Sequence, residues 1–382
     1  MRWMHYGLGL AGLGTALLGP ILPLLARQWQ LQDSQSGLLM TAKFCGAFLG
    51  GVTVKKDLRS SMIVGMLAGG IGFGVFAVAP GMALGCAGLF VGGFGLGQLI
   101  TSINILAGRR FTRRRGSALS QLNFSFSLGA MMSALLAAWL LPLFALIHLL
   151  EGFAATFVAG LVWFLIRRFG GKRATAPGEV EPAEASIEPS GAGLTPRAYL
   201  YFAGLLILYG GLETCLSGWL TTYALRYGDK RLVVSEYTTL LLWMSLTVGR
   251  VGAAIVLLRT GERRVQRGAM ALSVLFTVGL AYSHSAWSIG AFAVLLGLSL
   301  APFFPATFAL LMAEKPTSRQ AGIVLAVSGL GAAALPWMMG VISTRAGSLQ
   351  MALVLPLGAA IALLGLIWLG RSGAAEPRRV AD

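Results

Sequence analysis

Three stretches of this sequence contain no Asp, Glu, Lys or Arg: Ser60 to Gly108, Gly116 to Leu150 and Gly268 to Ala313. A run of about 20 uncharged apolar residues is enough to cross the hydrocarbon core of a bilayer. The first and third stretches are long enough for two passes each, with Pro80-Gly81 and Ser283-His284-Ser285 marking turns inside them. Inside hydrocarbon each backbone N–H and C=O must be satisfied within its own segment, which selects helices for runs of this length and excludes an outer-membrane barrel. Charged residues make up only 12% of the chain, against about 25% in an average soluble domain. The chain is therefore read as an all-α, polytopic membrane protein.

Twelve spans are expected, at about 4–26, 37–54, 60–79, 82–107, 117–140, 148–166, 198–225, 235–258, 266–283, 286–312, 319–342 and 347–370. The first run is long enough to be a span itself rather than a cleaved signal. Residues 168–197 (RFGGKRATAPGEVEPAEASIEPSGAGLTPR) have no apolar period and carry Pro, Gly, Ser and four glutamates, the composition of a disordered linker. The expected organisation is a six-helix half over 1–167, that linker over 168–197, a second six-helix half over 198–371, and a tail over 372–382. Two equal halves suggest an internal duplication of the kind found in transporters. Gly accounts for 52 of 382 residues, in keeping with closely packed membrane helices.

The formal charge of +16 raises the question of nucleic acid. Its placement answers otherwise. With both termini in the cytoplasm, 23 of the 30 Lys and Arg fall in cytoplasmic segments, including RRFTRRR (109–115). That is the positive-inside pattern of an inner or plasma membrane protein, and no nucleic acid partner is expected. Cys45, Cys86 and Cys215 lie inside predicted spans as small apolar residues, and the three histidines are scattered, so no metal site is expected. There is no Walker loop, HExxH, CxxC or GxSxG elbow. GGFGLGQ (92–98) has a GxGxxG-like spacing only by chance, inside a span. The chain is read as neither an enzyme nor a cofactor protein. Any energy source is then an ion gradient.

Polar residues are concentrated in particular spans. Span 4 carries Gln98, Thr101, Ser102 and Asn104; span 5 carries Ser120, Gln121, Asn123, Ser125 and Ser127; span 7 carries Tyr209, Glu213, Thr214, Ser217 and Trp219. Spans 3, 6, 9 and 12 have few, so every third span is expected to face lipid while the others surround a polar cavity. Residues three or four apart share a helix face, which groups Tyr209, Glu213 and Ser217, and separately Ser120, Asn123 and Ser127. Amides and hydroxyls at Gln98, Asn104, Gln121, Asn123, Tyr209 and Ser217, with flat apolar faces from Phe124 and Trp219, suit a neutral polar solute such as a sugar. The competing reading is that these groups only bond neighbouring helices.

Two charges lie near mid-membrane. Glu213 is the only charged residue between Arg197 and Arg226, and Lys43 stands about 15 Å from Asp33 at 1.5 Å per residue. An isolated charge at that depth costs at least about 2.5–3.5 kcal/mol. Three roles compete. Glu213 can carry a proton as access alternates; Lys43 and Glu213 can pair; or Lys43 can draw in an anionic solute. Arg250, two to three turns from Arg259, is expected to snorkel to the inner face, and His148 and Glu151 to sit at the outer interface.

The whole chain resembles the major facilitator superfamily: six plus six spans, an internal linker, and basic loops after spans 2 and 8. WQLQDSQSGLLMTAKFCGAFLGG (29–51) resembles its span 1–2 corner, KKDLRSS (55–61) is a degenerate form of its basic loop motif, and GRVGAAIVLLRTGERRV (249–265) is nearer to that pattern in the second half. Within the superfamily, residues 104–130, 208–224 (LYGGLETCLSGWLTTYA), 300–314 and 328–343 resemble the fucose–proton symporter-like sugar porters. The resemblance implies alternating access by rocking of two halves about a midplane site. It also implies a sugar-like small-molecule substrate, protons as coupling ion through Glu213, and a monomer surrounded by lipid. Lys43 departs from the apolar or small residue that branch would place in span 2. A proton-coupled exporter of a lipophilic, drug-like or anionic compound is the alternative.

Overall fold

The computed structural model describes residues 2–110, 115–169, 193–228 and 237–370. Most of RRFTRRR, most of the 168–197 linker and the 372–382 tail lie outside the described residues. The helices are α1 (Arg2–Ala16), α2 (Leu18–Gln28), α3 (Asp33–Val52), α4 (Leu58–Ala77), α5 (Met82–Arg110), α6 (Arg115–Leu140), α7 (Leu146–Phe169), α8 (Pro196–Tyr227), α9 (Thr238–Arg259), α10 (Glu262–Ala281), α11 (Ala286–Leu300), α12 (Phe303–Ala313), α13 (Ser318–Ala326), α14 (Ser328–Ala346), α15 (Leu349–Ala352) and α16 (Val354–Leu369). They make twelve passes, because four passes are broken into α1/α2, α11/α12, α13/α14 and α15/α16. Three of those breaks are set by proline. Leu17, Pro302 and Leu353 each stand three residues before a proline (Pro20, Pro305, Pro356), whose missing N–H leaves a carbonyl of the preceding turn without its helical partner. At the fourth, the Ser328 hydroxyl bonds back to the Leu325 carbonyl at 2.6 Å in place of a regular turn.

Among the described residues, ten helical segments are long and apolar enough to cross a membrane. The two remaining passes, α3 and α10, begin with polar runs (Asp33-Ser34-Gln35-Ser36 and Glu262-Arg263-Arg264) and pack along their neighbours for the same length. The linker rejoins the bundle at a defined place. Leu194 is clasped by Gln320, whose Oε1 accepts from the Leu194 N–H at 2.9 Å and whose Nε2 donates to the Leu194 carbonyl at 3.3 Å. Thr195 then caps α8, so the helix begins at Pro196, two residues earlier than expected.

Two halves are evident in the packing. Helix α5 lies against α3 and α4, and α1 against α6; in the second half α8 lies against α14 and α16, and α11 against α9 and α10. The halves meet mainly along α3–α14 and α6–α9, with α2 against α8. Counted as passes these are 2–11 and 5–8, which are the same contact related by a shift of six. That is the signature of a duplicated unit. Helices α4, α7, α10 and α16 make their main contacts inside their own halves and expose apolar rows such as Val158, Val162 and Ile166. These are passes 3, 6, 9 and 12, the set expected to face lipid.

Close approach between helices depends on glycine at their crossings. A Cβ built on Gly93 of α5 would collide with the backbone carbonyl of Lys43 in α3, and one on Gly331 of α14 with the carbonyl of Ile207 in α8. Both obstacles are backbone and cannot move aside alone. Gly93→Ala and Gly331→Ala should each therefore destabilise the bundle by about 1–3 kcal/mol, the usual cost of overpacking. Thermal unfolding in detergent reads this; an unchanged Tm would show that the helices separate freely at these crossings.

Candidate functional site

Helix α8 runs unbroken across the membrane, with Glu213 seventeen residues from its start and fourteen from its end. The side chain is 19% exposed and its Oε1 lies 3.6 Å from Nη2 of Arg250, which is itself only 6% exposed. Arg250 therefore does not snorkel. It stands nine residues before Arg259 in α9, about 13.5 Å along the axis, too far for its side chain to reach the helix end. It turns instead into the interface between the halves. Its Nη1 donates to the Asn123 carbonyl of α6 at 3.1 Å and to the Ser127 hydroxyl. The Ser127 hydroxyl in turn donates to the same Asn123 carbonyl at 2.9 Å. One guanidinium thus joins a carboxylate of the second half to the backbone of the first.

The pair is not saturated. Glu213 Oε1 and Arg250 Nε are both buried without a hydrogen-bond partner. A carboxylate oxygen accepts and a guanidinium Nε–H donates, so the pair holds one unmet acceptor and one unmet donor. Tyr209, one turn below Glu213, is buried beside both. Its hydroxyl donates to the Leu300 carbonyl at 3.3 Å, and its ring stacks on Phe303 with centroids 4.8 Å apart.

Lys43, 2% exposed in the middle of α3, has a different neighbourhood from the one its pairing with Glu213 would give. Its Nζ donates to the Thr15 carbonyl at 2.6 Å, beside the α1/α2 break, and lies 4.6 Å from the Phe44 ring. Among the described residues no carboxylate stands within 4.0 Å of it. Glu213 and Lys43 nevertheless lie at similar depth. Gly218 of α8 meets Met40 of α3, and Ser217 meets Gly19 of α2. From that contact Lys43 is three residues and Glu213 five residues toward the linker end, about 4.5 and 7.5 Å.

The other expected residues divide. Asn123, Tyr209 and Ser217 are gathered around the Glu213–Arg250 pair or one turn from it. Gln121 and Phe124 lie on an exposed face of α6. Gln98 points toward the linker end, its Nε2 donating to Thr53 Oγ1 at 3.1 Å. Asn104 bonds its own helix through the Ile100 carbonyl at 2.8 Å. Trp219, 1% exposed, donates to the Pro336 carbonyl at 3.0 Å and holds α8 to α14. Asn104 and Trp219 are thus occupied by packing, while Gln98 bonds through Nε2 and leaves its buried Oε1 without a partner. Arg250 was missed as a site residue; its distance from the helix end is the signal that marks it. His148 and Glu151 form an exposed pair at 3.4 Å, as an interfacial position requires.

At the end of the bundle away from the linker the halves are latched. Asp33 takes both terminal nitrogens of Arg226, at 2.5 and 2.6 Å, and the Ser343 hydroxyl at 2.5 Å. The next residue, Ser34, donates its N–H to Thr344 Oγ1 at 2.9 Å. Burial opposes charge on the Asp33 carboxyl, but the hydrogen bonds from Arg226 and Ser343 outweigh it and hold the group below the usual carboxylate range.

A family model for the Major Facilitator Superfamily matches residues 5–323. The 4-hydroxybenzoate transporter PcaK of Acinetobacter baylyi is 29% identical over 167 residues, 41% of this chain and 36% of that one. The match spans about a third of the length of the curated relatives. Among solved structures, FucP in the outward conformation aligns with TM-score 0.68 at 16% identity over 98% of both chains. The xylose transporter XylE from E. coli, in a partially occluded inward-open conformation, aligns with TM-score 0.78 at 11% identity over 96% of both. At those identities the structural likeness carries the fold alone.

Two outcomes are expected of this geometry. Arg250→Gln should cost about 3–5 kcal/mol, the usual penalty for leaving a buried charge uncompensated, while adding Glu213→Gln should cost less than the sum of the single changes; a double-mutant cycle in detergent measures it, and strict additivity would mean the two do not interact. The latch should respond to acid. Its ion pair is fully present above the ordinary carboxylate value of about 3.9 and lost as pH falls through the lowered folded value. The alkylation rate of a Ser36→Cys reporter, taken relative to an exposed control cysteine at the same pH so that the loss of thiolate cancels, should therefore rise at low pH in the wild type and be high at every pH in Asp33→Asn.

Proposed function

The chain belongs to the Major Facilitator Superfamily, and on that premise we propose that it is a proton-coupled secondary transporter that carries a small hydroxylated solute, sugar-like in its polar groups, by alternating access. The observation that carries this reading is the unsaturated Glu213–Arg250 pair bridged to α6. A hydroxyl both donates and accepts, so a solute hydroxyl finds an acceptor in Glu213 Oε1, which lies 3.6 Å from Arg250 Nη2 without a hydrogen bond, and a donor in Arg250 Nε.

Glu213 is the proton carrier in this mechanism. Protonation removes its charge and with it the electrostatic hold on Arg250, leaving the guanidinium to its α6 partners. Because Arg250 spans the two halves, a change in charge at Glu213 alters the contact that must rearrange when the halves rock. Tyr209, Asn123, Ser127 and Ser217 supply the polar surroundings. The linker end, where the basic residues gather, faces the cytoplasm, and the Asp33–Arg226 latch closes the opposite mouth. One chain supplies both halves of the site, so the monomer is the working unit.

A second reading, an exporter or importer of an anionic compound, has one specific observation in its favour: the Lys43 ammonium has no carboxylate beside it. The relation to a 4-hydroxybenzoate transporter points the same way.

Uptake into proteoliposomes tests the coupling. An imposed inward proton gradient should stimulate uptake by the wild type at least tenfold. Glu213→Gln should lose that stimulation while retaining counterflow exchange. Gradient-stimulated uptake that survives in Glu213→Gln would remove Glu213 from the mechanism.

A further inference from the structure

We propose that Lys43 docks an acidic group of the solute, which makes the substrate a small hydroxylated organic monoanion rather than a neutral sugar. This rests on the transporter reading above and narrows its substrate class. An ammonium has three N–H donors, and the Thr15 carbonyl uses one. The Phe44 ring covers one side of the group at 4.6 Å. The other donors have no described protein acceptor, in an interior where an unmet charged donor is expensive.

The charge balance of the bundle centre points the same way. In their ionised forms Lys43 and Arg250 are positive and Glu213 is negative. Among the described residues the remaining carboxylates stand near helix ends: Asp33 in the latch, Asp57 at the start of α4, and Glu151, Glu262 and Glu314 near the termini of α7, α10 and α12. The centre therefore carries one positive charge that no side chain there neutralises, and a monoanion is the counter-charge that fits it.

Placement puts the two groups at nearly one depth. Lys43 belongs to the first half and the Glu213–Arg250 pair to the second, at depths that differ by two residues along their helices, about 3 Å. A solute bound to both touches both halves at the midplane. Its hydroxyl meets the unsaturated pair and its acidic group meets Lys43. A purely structural lysine, capping the carbonyl at the α1/α2 break, would predict no preference for acids at all.

The test compares matched pairs of probes, each an acid and its neutral counterpart: glucuronate with glucose, and 4-hydroxybenzoate with 4-hydroxybenzamide. Binding is read by thermal shift of the purified full chain, and transport by counterflow in proteoliposomes, at one fixed neutral pH. In at least one pair the acid should bind and exchange at least tenfold better than its neutral partner. Lys43→Gln should abolish that preference while leaving the protein monodisperse, and Lys43→Arg should keep part of it. Preference for the neutral member, binding of neither member in both pairs, or an acid preference that survives Lys43→Gln would each overturn the proposal. If Lys43→Gln does not fold, the wild type and Lys43→Arg decide it: an acid preference in the wild type that is reduced in Lys43→Arg supports the proposal, and a preference absent from the wild type or undiminished in Lys43→Arg overturns it. Acid preference without gradient stimulation would sink proton coupling through Glu213 and leave this inference standing.

Discussion

Arg250 carries a charge that no physiological pH removes, and at 6% exposure it depends on protein groups for compensation. Those groups come from both halves of the bundle: the Glu213 carboxylate on one side, and the Asn123 carbonyl and Ser127 hydroxyl on the other. A buried guanidinium shared this way makes the relative position of the halves and the charge state of one carboxylate a single problem. Replacing the cluster by apolar residues would be as stable or more so in many proteins, so stability alone gives no reason for it.

The same bundle is held together by means that leave the centre free to be polar. Hydrocarbon provides no hydrophobic drive between helices, so association relies on close packing. Glycines at the crossings bring α5 onto α3 and α14 onto α8 until backbone meets backbone. One of these crossings fixes the carbonyl of Lys43 and so holds the base of its side chain. The ammonium of Lys43 is satisfied in part by the Thr15 carbonyl, two residues before the break between α1 and α2. Rigid packing and local breaks thus act together. The first positions helices, and the second opens polar groups at mid-depth without exposing them to lipid.

At the mouth away from the linker a different kind of contact operates. Asp33, Arg226, Ser343 and Ser34 lie at helix ends, where water competes and partners exchange at modest cost. A reversible seal belongs there. The deep Glu213–Arg250 contact is harder to break and suits a step driven by a proton or a solute.

Much of the fold was legible in the sequence because hydrocarbon is an undiscriminating solvent: it demands long uncharged helices, and the chain shows where they are. The twelve passes, the lipid-facing set α4, α7, α10 and α16, and the depth of Glu213 and Lys43 follow from charge placement and a rise of 1.5 Å per residue. The face shared by Asn123 and Ser127, and that shared by Tyr209, Glu213 and Ser217, follow from helical spacing. Partners do not follow. A one-dimensional pattern places a residue on a face and at a depth, but which neighbour it meets depends on how helices distant in sequence are rotated against one another. Gln98 and Trp219 looked like cavity residues and instead bond Thr53 and Pro336. Arg250 looked like an interfacial cation and instead lies between the halves. Glu213 finds Arg250 rather than Lys43 because the α6–α9 contact brings α9 inward beside α8. Charge placement along the chain puts Glu213 and Lys43 in the interior; that Arg250 joins them, and which of the three meet an opposite charge, is settled by the fold, because compensation is a property of distances between helices and not of order along one.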